Sequence, residues 1–402
     1  MAQIEASPAS GAPSGPLPSP LAAPLPAPVS RTVLPLAGTG PDGGPAALTV
    51  LRFGTPGARP KAYLQAGLHA DEFPGMLALR HLAARLEERA ARGEIAGEIV
   101  LVPQANPLGL AQHRFGLLQG RFHEASGANF NRDYPDLAAA IGDRIGPRLG
   151  PDPAANIATI RAAMGEALAD MTGEGEMERL RLTLMGLAYD ADMVLDLHAD
   201  NEALLHLYIG TPLWPDAQDL AAEIDARAVL LAEVSGGHPF DEACGGPWWA
   251  LARRFPEHPI PPACLSATLE LRCNDTVDEA LAARDAAALE RVLRRRGVIA
   301  GGLDEALPRL LCEATPLEAM QQLRSPSYGL IAYVRRLGDT VAAGEEVARI
   351  IDPVGESVPV LATTDGLLFA RHNQTYAWPG KVIGKIAGAH ALPERTGKLL
   401  TD

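Results

Sequence analysis

KAYLQAGLHADEFPGMLALRHLAARLEERAARG, residues 61–93, carries an apolar run, a short turn and then a long amphipathic stretch. The run Ala62 to Gly67 reads as a buried strand. Pro74 stands just inside a helix start, Met76, Leu79, Leu82 and Leu86 recur at helical spacing, and Gly93 closes the segment, so a helix is predicted over Pro74 to Arg92. A strand passing straight into a helix is the unit of an α/β domain. His69 and Glu72 fall in the turn between them, beyond the carboxyl end of the strand, where ligands gather in open α/β sheets.

The same grammar extends in both directions. Strands are expected at Leu48 to Phe53, Glu98 to Pro103, Met193 to Leu197, Leu204 to Ile209 and Ser266 to Leu271. DEALAARDAAALERVLRRR, Asp278 to Arg296, is a second strong helix, basic at its end and followed by Gly297. Residues 31–311 are therefore expected to form one mixed α/β domain. Before them, residues 1–30 are almost wholly Pro, Ala, Ser, Gly and Leu, the composition of a disordered tail. After Leu311 the helical period gives way to short strands and turns, so residues 312–402 are expected to form a small all-β domain. GDTVAAGEEVARI and the later DGLLFARH resemble the half-repeats of lipoyl and biotinyl carriers. Asp352 to Thr364, where a carrier lysine would sit, contains no lysine, and no prosthetic group is expected there.

The chain has 402 residues, 47% hydrophobic and 21% charged, ordinary values for a folded protein larger than one typical domain. Its net charge of −14 opposes docking on nucleic acid or anionic lipid. No run reaches the roughly 18 uninterrupted apolar residues of a membrane span. The four cysteines, Cys244, Cys264, Cys273 and Cys312, form no disulfide framework or CxxC pair, and no Lys or Arg precedes Arg31 as an export leader would require. These features point to the cytoplasm. Nothing in the sequence decides the oligomeric state, and a homo-oligomer stays open.

Four segments carry candidate chemistry. In GLHADEFPG, a His and a Glu three residues apart can face one metal ion, the His through a neutral ring nitrogen and the Glu through a carboxylate. In ADMVLDLHADNE, an apolar strand runs into His198, which supplies the third ligand of a catalytic zinc site; Asp196, on the same face, or Asp200 could orient its ring. In LSATLELR, Glu270 sits in an apolar run, where a carboxylate is costly unless paired or functional. Facing a metal site, it would take a proton from water and later give it to a leaving amine. GRFHEASGANFNRDYPD is a loop, in which Asn131 and Arg132 suit a substrate carboxylate and Arg121 suits a developing oxyanion. Each segment alone also has a plain structural reading: a solvated helix start, a strand-end histidine, a buried ion pair, a capped loop.

Together and in this order, the four segments resemble the zinc-carboxypeptidase-like succinylglutamate desuccinylase/aspartoacylase family, from about residue 45 to 300, and a C-terminal β domain is usual in it. The resemblance implies one Zn2+ per chain on His69, Glu72 and His198. It also implies Glu270 as general base and acid, Asn131 and Arg132 on a substrate carboxylate, and Arg121 on the carbonyl, with Arg114 a rival in the same loop. TLELRCNDTVDEALAARDAAAL is similar to the N-acetyl-diaminobutyrate deacetylase branch, which suggests a pocket role for Arg272. The expected activity is hydrolysis of a small N-acyl amino acid. A carboxypeptidase acting on peptides and an inactive binding protein on the same fold are the alternatives.

Overall fold

A computed structural model describes residues 29–400. Its centre is a nine-stranded mixed sheet. The strands run in the order Val29–Thr39, Pro45–Gly54, Glu98–Val102, Lys61–Ala66, Met193–Asp200, Leu265–Cys273, His206–Gly210, Ala228–Ala232 and Ala314–Pro316. The middle strands Lys61–Ala66, Met193–Asp200 and Leu265–Cys273 are parallel, and His206–Gly210 runs antiparallel to the last of them.

Both faces of this sheet are covered, which explains why its central strands read as continuous apolar runs. Leu64, Leu195 and Leu197 pack against the helices Pro74–Ala91 and Glu279–Arg295 on one side. Tyr63, Val100 and Val194 pack on the other, against Pro153–Asp170, Glu176–Ala188 and Phe240–Arg254. Because side chains alternate along a strand, Asp196 and His198 share the face of Val194, and Ser266, Thr268 and Glu270 form the matching row on the neighbouring strand.

The C-terminal part forms two antiparallel sheets packed around Val347, Ile350, Leu368, Ile383 and Ile386, each with four strands of its own, and the first gains Glu202–Ala203 from the larger domain as a fifth strand beside Gly366–Arg371. The first holds Met320–Arg324, Val382–Gly388, Gly366–Arg371 and Thr340–Val341; the second holds Ser357–Leu361, Glu346–Ile351, Gly329–Tyr333 and Tyr376–Ala377.

Two boundaries differ from expectation. Residues 1–28 of the expected tail lie outside the described residues, but Val29 and Ser30 belong to the first strand, opposite Phe53 and Arg52. This is an edge strand, mostly solvent-facing and holding Pro35, so it lacks the apolar run that marks the central ones. At the other junction, Ala314–Pro316 extends the large sheet beside Ala228–Ala232, which moves the start of the β unit beyond residue 316.

Candidate active site

The turn after Lys61–Ala66 is shaped by Gly67, whose φ of 68° favours glycine, and where an added Cβ would meet the Met76 side chain at 2.5 Å. It carries His69 and Glu72 to the end of the His198 strand. His69 Nδ1 lies 2.9 Å from Glu72 Oε1, and His198 Nδ1 lies 2.8 Å from Glu72 Oε2. One potential ligand atom from each residue falls within 4.8 Å of the other two, and all three side chains are buried.

The far nitrogens of both rings are held as well. His69 Nε2 meets Asn129 Oδ1 at 2.9 Å, and His198 Nε2 meets Asp196 Oδ2 at 2.9 Å. With those nitrogens held, both rings direct Nδ1 toward the Glu72 carboxylate, the ring orientation a metal-binding histidine needs. The support continues inward, since Gln65 donates to Asp196 (3.0 Å) and accepts from the Tyr63 hydroxyl (2.8 Å). Asp196 is therefore the ring's partner, whereas Asp200 pairs with Lys385.

The electrostatics suit a cation. Burial and the nearby Arg121 guanidinium push His69 down to about 4, which keeps its ring neutral and able to coordinate. His198 is driven the other way: burial opposes its charge, but Asp196 and Glu72 outweigh burial and favour a positive charge between them, a place that a ring proton fills and that a bound cation would take over as the proton leaves. Two ring nitrogens and a carboxylate oxygen in a buried, carboxylate-backed pocket fit a divalent ion such as zinc.

Glu270 faces this cluster from the adjacent strand, in register with His198. Burial first, then the Glu72 and Asp200 carboxylates, raise it to about 8, and its Oε2 has no hydrogen-bond partner among the described residues. Arg121 Nη1 lies 3.2 Å from Glu72 Oε1. Asn131 accepts from the Phe240 N–H (2.9 Å) and turns its amide nitrogen toward the His198 ring. Arg132 donates to the Asn131 carbonyl at 2.7 Å. All of these line one cleft of about 680 Å³, within the size range of small-molecule sites. Trp249 lines it too, while Trp248 is wholly buried packing.

Arg272 stands apart. It is not among the cleft-lining residues, and its guanidinium pairs with Asp285 on the helix Glu279–Arg295. It occupies a left-handed backbone position, φ 69°, just after Glu270, where the strand register is also disturbed. That turn carries the side chain away from the cleft. Arg114 lies in an exposed two-stranded hairpin, outside the cleft lining.

The catalytic-domain model of the succinylglutamate desuccinylase/aspartoacylase family matches residues 58–296. The chain belongs to that family. It is 24% identical over 345 residues to the N-alpha-acetyl-L-2,4-diaminobutyric acid deacetylase of Halomonas elongata, covering 82% of this chain and 83% of that one. A family member from Shewanella amazonensis superposes with a TM-score of 0.77 at 27% identity, covering 89% of this chain and 98% of its own. The product-bound ectoine utilization protein EutE (DoeB) from Ruegeria pomeroyi shares the fold at a TM-score of 0.63 and 19% identity, covering 90% and 95%. Family membership makes the chain a hydrolase of N-acyl amide bonds and accounts for the mixed sheet with its appended β unit.

Proposed function

We propose that this protein is a metal-dependent deacylase that hydrolyses the amide bond of a small N-acyl amino acid. The observation that supports this reading most strongly is the meeting of His69, Glu72, His198 and Glu270 in one cleft with Arg121, Asn131 and Arg132. His69, Glu72 and His198 would hold the ion, and zinc suits their donor set. When bound, it supplies Lewis acidity, bringing water ionisation toward neutral pH and polarising a carbonyl.

The protein's own groups do the rest. Glu270, with one oxygen unpartnered, takes the proton from the attacking water and passes it to the nitrogen as the C–N bond breaks, giving a carboxylate and a free amine. Its raised affinity for a proton suits delivery to the leaving nitrogen, and a cation on the neighbouring ligands would lower it so that the carboxylate is free to act first as the base. Arg121 offers N–H donors to the carbonyl oxygen as negative charge develops there. The Arg132 guanidinium and the Asn131 amide nitrogen would hold the substrate's carboxylate. The Halomonas relative is named for removing acetyl from a diamino acid, which supports testing small acyl groups first.

The test is amine release from N-acetyl, N-succinyl and N-formyl amino acids and diamines, with C-terminal peptides in parallel. Release from a small acyl compound and not from peptides is expected; trimming of peptides alone would replace this reading with a carboxypeptidase.

A further inference from the structure

Lys385 enters the cleft from the C-terminal β unit, on the strand Val382–Gly388. Its ammonium pairs with the Asp200 carboxylate and sits beside the Tyr208 hydroxyl. The pair is largely withdrawn from water, at 22% and 12% side-chain exposure. A lysine is strongly hydrated when free, and taking it out of water is unfavourable unless its charge is answered.

The placement of its two partners is informative. Asp200 ends the strand of His198, and Tyr208 lies on His206–Gly210. The Glu270 strand runs between those two, with Glu270 opposite His198 on one side and His206 on the other. The Asp200 carbonyl also accepts the N–H of Asn274, just beyond the Glu270 strand (2.8 Å). One ammonium from the β unit thus bridges the two strands that flank the candidate base.

The same edge is tied to the β unit elsewhere. Glu202–Ala203 pairs antiparallel with Gly366–Arg371, Arg371 donates to both oxygens of Glu202, and the Leu204 N–H donates to the Phe369 carbonyl. Glu270 Oε2 has no bond of its own to fix it, so the carboxylate takes its position from the strands beside it.

We propose that Lys385 is a positioning residue for Glu270, acting through Asp200 and Tyr208, so that the C-terminal β unit completes the active cleft. The role assigned to Glu270 rests on the deacylase reading; the bridging role of Lys385 does not.

The test uses full-length K385M, K385R and the double variant D200N/K385M. K385M leaves a carboxylate without its cation and is expected to fold less stably. The double variant removes both charges and keeps the test open if the single one misfolds. It is expected to lose about 10- to 100-fold in kcat, the usual scale for losing an outer supporting group, with KM changed less than about threefold and part of the loss restored in K385R. Recovery of full kcat in D200N/K385M would mean that Lys385 only neutralises Asp200, and would overturn the proposal.

Hydrogen exchange at the amides of residues 202–208 and 270–274 reads the same bridge without a substrate. Faster exchange in the double variant is expected, and exchange equal to wild type would overturn the proposal. Faster exchange in a protein whose wild type releases no amine would sink the deacylase reading while leaving the bridge standing.

Discussion

Asp241 makes the stability of the fold depend on pH. It lies in the first turn of Phe240–Arg254, buried at the cleft wall. Burial first, then the nearby Glu242 and Asp196 carboxylates, raise it from the ordinary 3.8 to about 7. An acid with a raised folded-state pKa holds its proton in the native protein over a window where the unfolded chain has already released it. Stability therefore falls as pH rises from about 4 to about 7, and the penalty is complete above that. At about 1.4 kcal/mol per pH unit, the gap amounts to about 4 kcal/mol at pH 8, of which about 2–3 kcal/mol accrues between pH 5 and 8. Asp241→Asn keeps the shape and removes the titration. Urea unfolding of metal-stripped wild type and variant at both pH values is the assay. The variant's advantage is expected to grow from pH 5 to pH 8 by that amount, and parallel pH dependence in the two proteins would show that Asp241 does not titrate in this window.

Three further outcomes are expected. Glu270→Gln keeps the metal and loses about 10²- to 10⁴-fold in kcat, the range for a general acid–base; turnover at the wild-type rate would remove Glu270 as the base. His198→Ala should no longer retain zinc through dialysis, and full occupancy by elemental analysis would show that the ligand set is wrong. Asp196→Asn, which exchanges the carboxylate behind the His198 ring for a neutral amide, should weaken zinc binding about 10- to 100-fold in a chelator competition, and an unchanged affinity would leave the Asp196 contact without a role in holding the metal.

The parts of the fold nearest the site were legible because they are also the most regular. Buried parallel strands write themselves as apolar runs, so the strands leading to His69, His198 and Glu270 could be read from the residues alone. The two helices with clear starts and stops could be read as well, and the Asp278 carboxylate does accept from the Leu281 N–H at 2.8 Å. Edge elements escaped because they lack that signature: Val29–Thr39 is mostly exposed, and the three-residue strand Ala314–Pro316 has no pattern long enough to register.

The site divides in the same way. Residue types with a strong chemical preference announced themselves, whereas the supporting groups act through contacts that no local spacing reveals. Asn129 reaches His69 across 60 residues and Lys385 reaches Asp200 across 185. The only hint of Asn129 was its place in the NFNR stretch of a turn-rich loop, and nothing distinguished Lys385 among the lysines of the β unit. Arg272 shows the converse, because its position beside Glu270 in sequence says nothing of the left-handed turn that directs it to Asp285.

In the proposed function, His69, Glu72 and His198 hold a metal on which amide hydrolysis in this cleft depends. The most direct measurement follows amine release from the N-acyl amino acid panel by full-length protein before metal stripping, after it, and after zinc is restored at one equivalent. Release is expected to be abolished by stripping and recovered at that single equivalent. Release that persists undiminished in metal-free protein would contradict it.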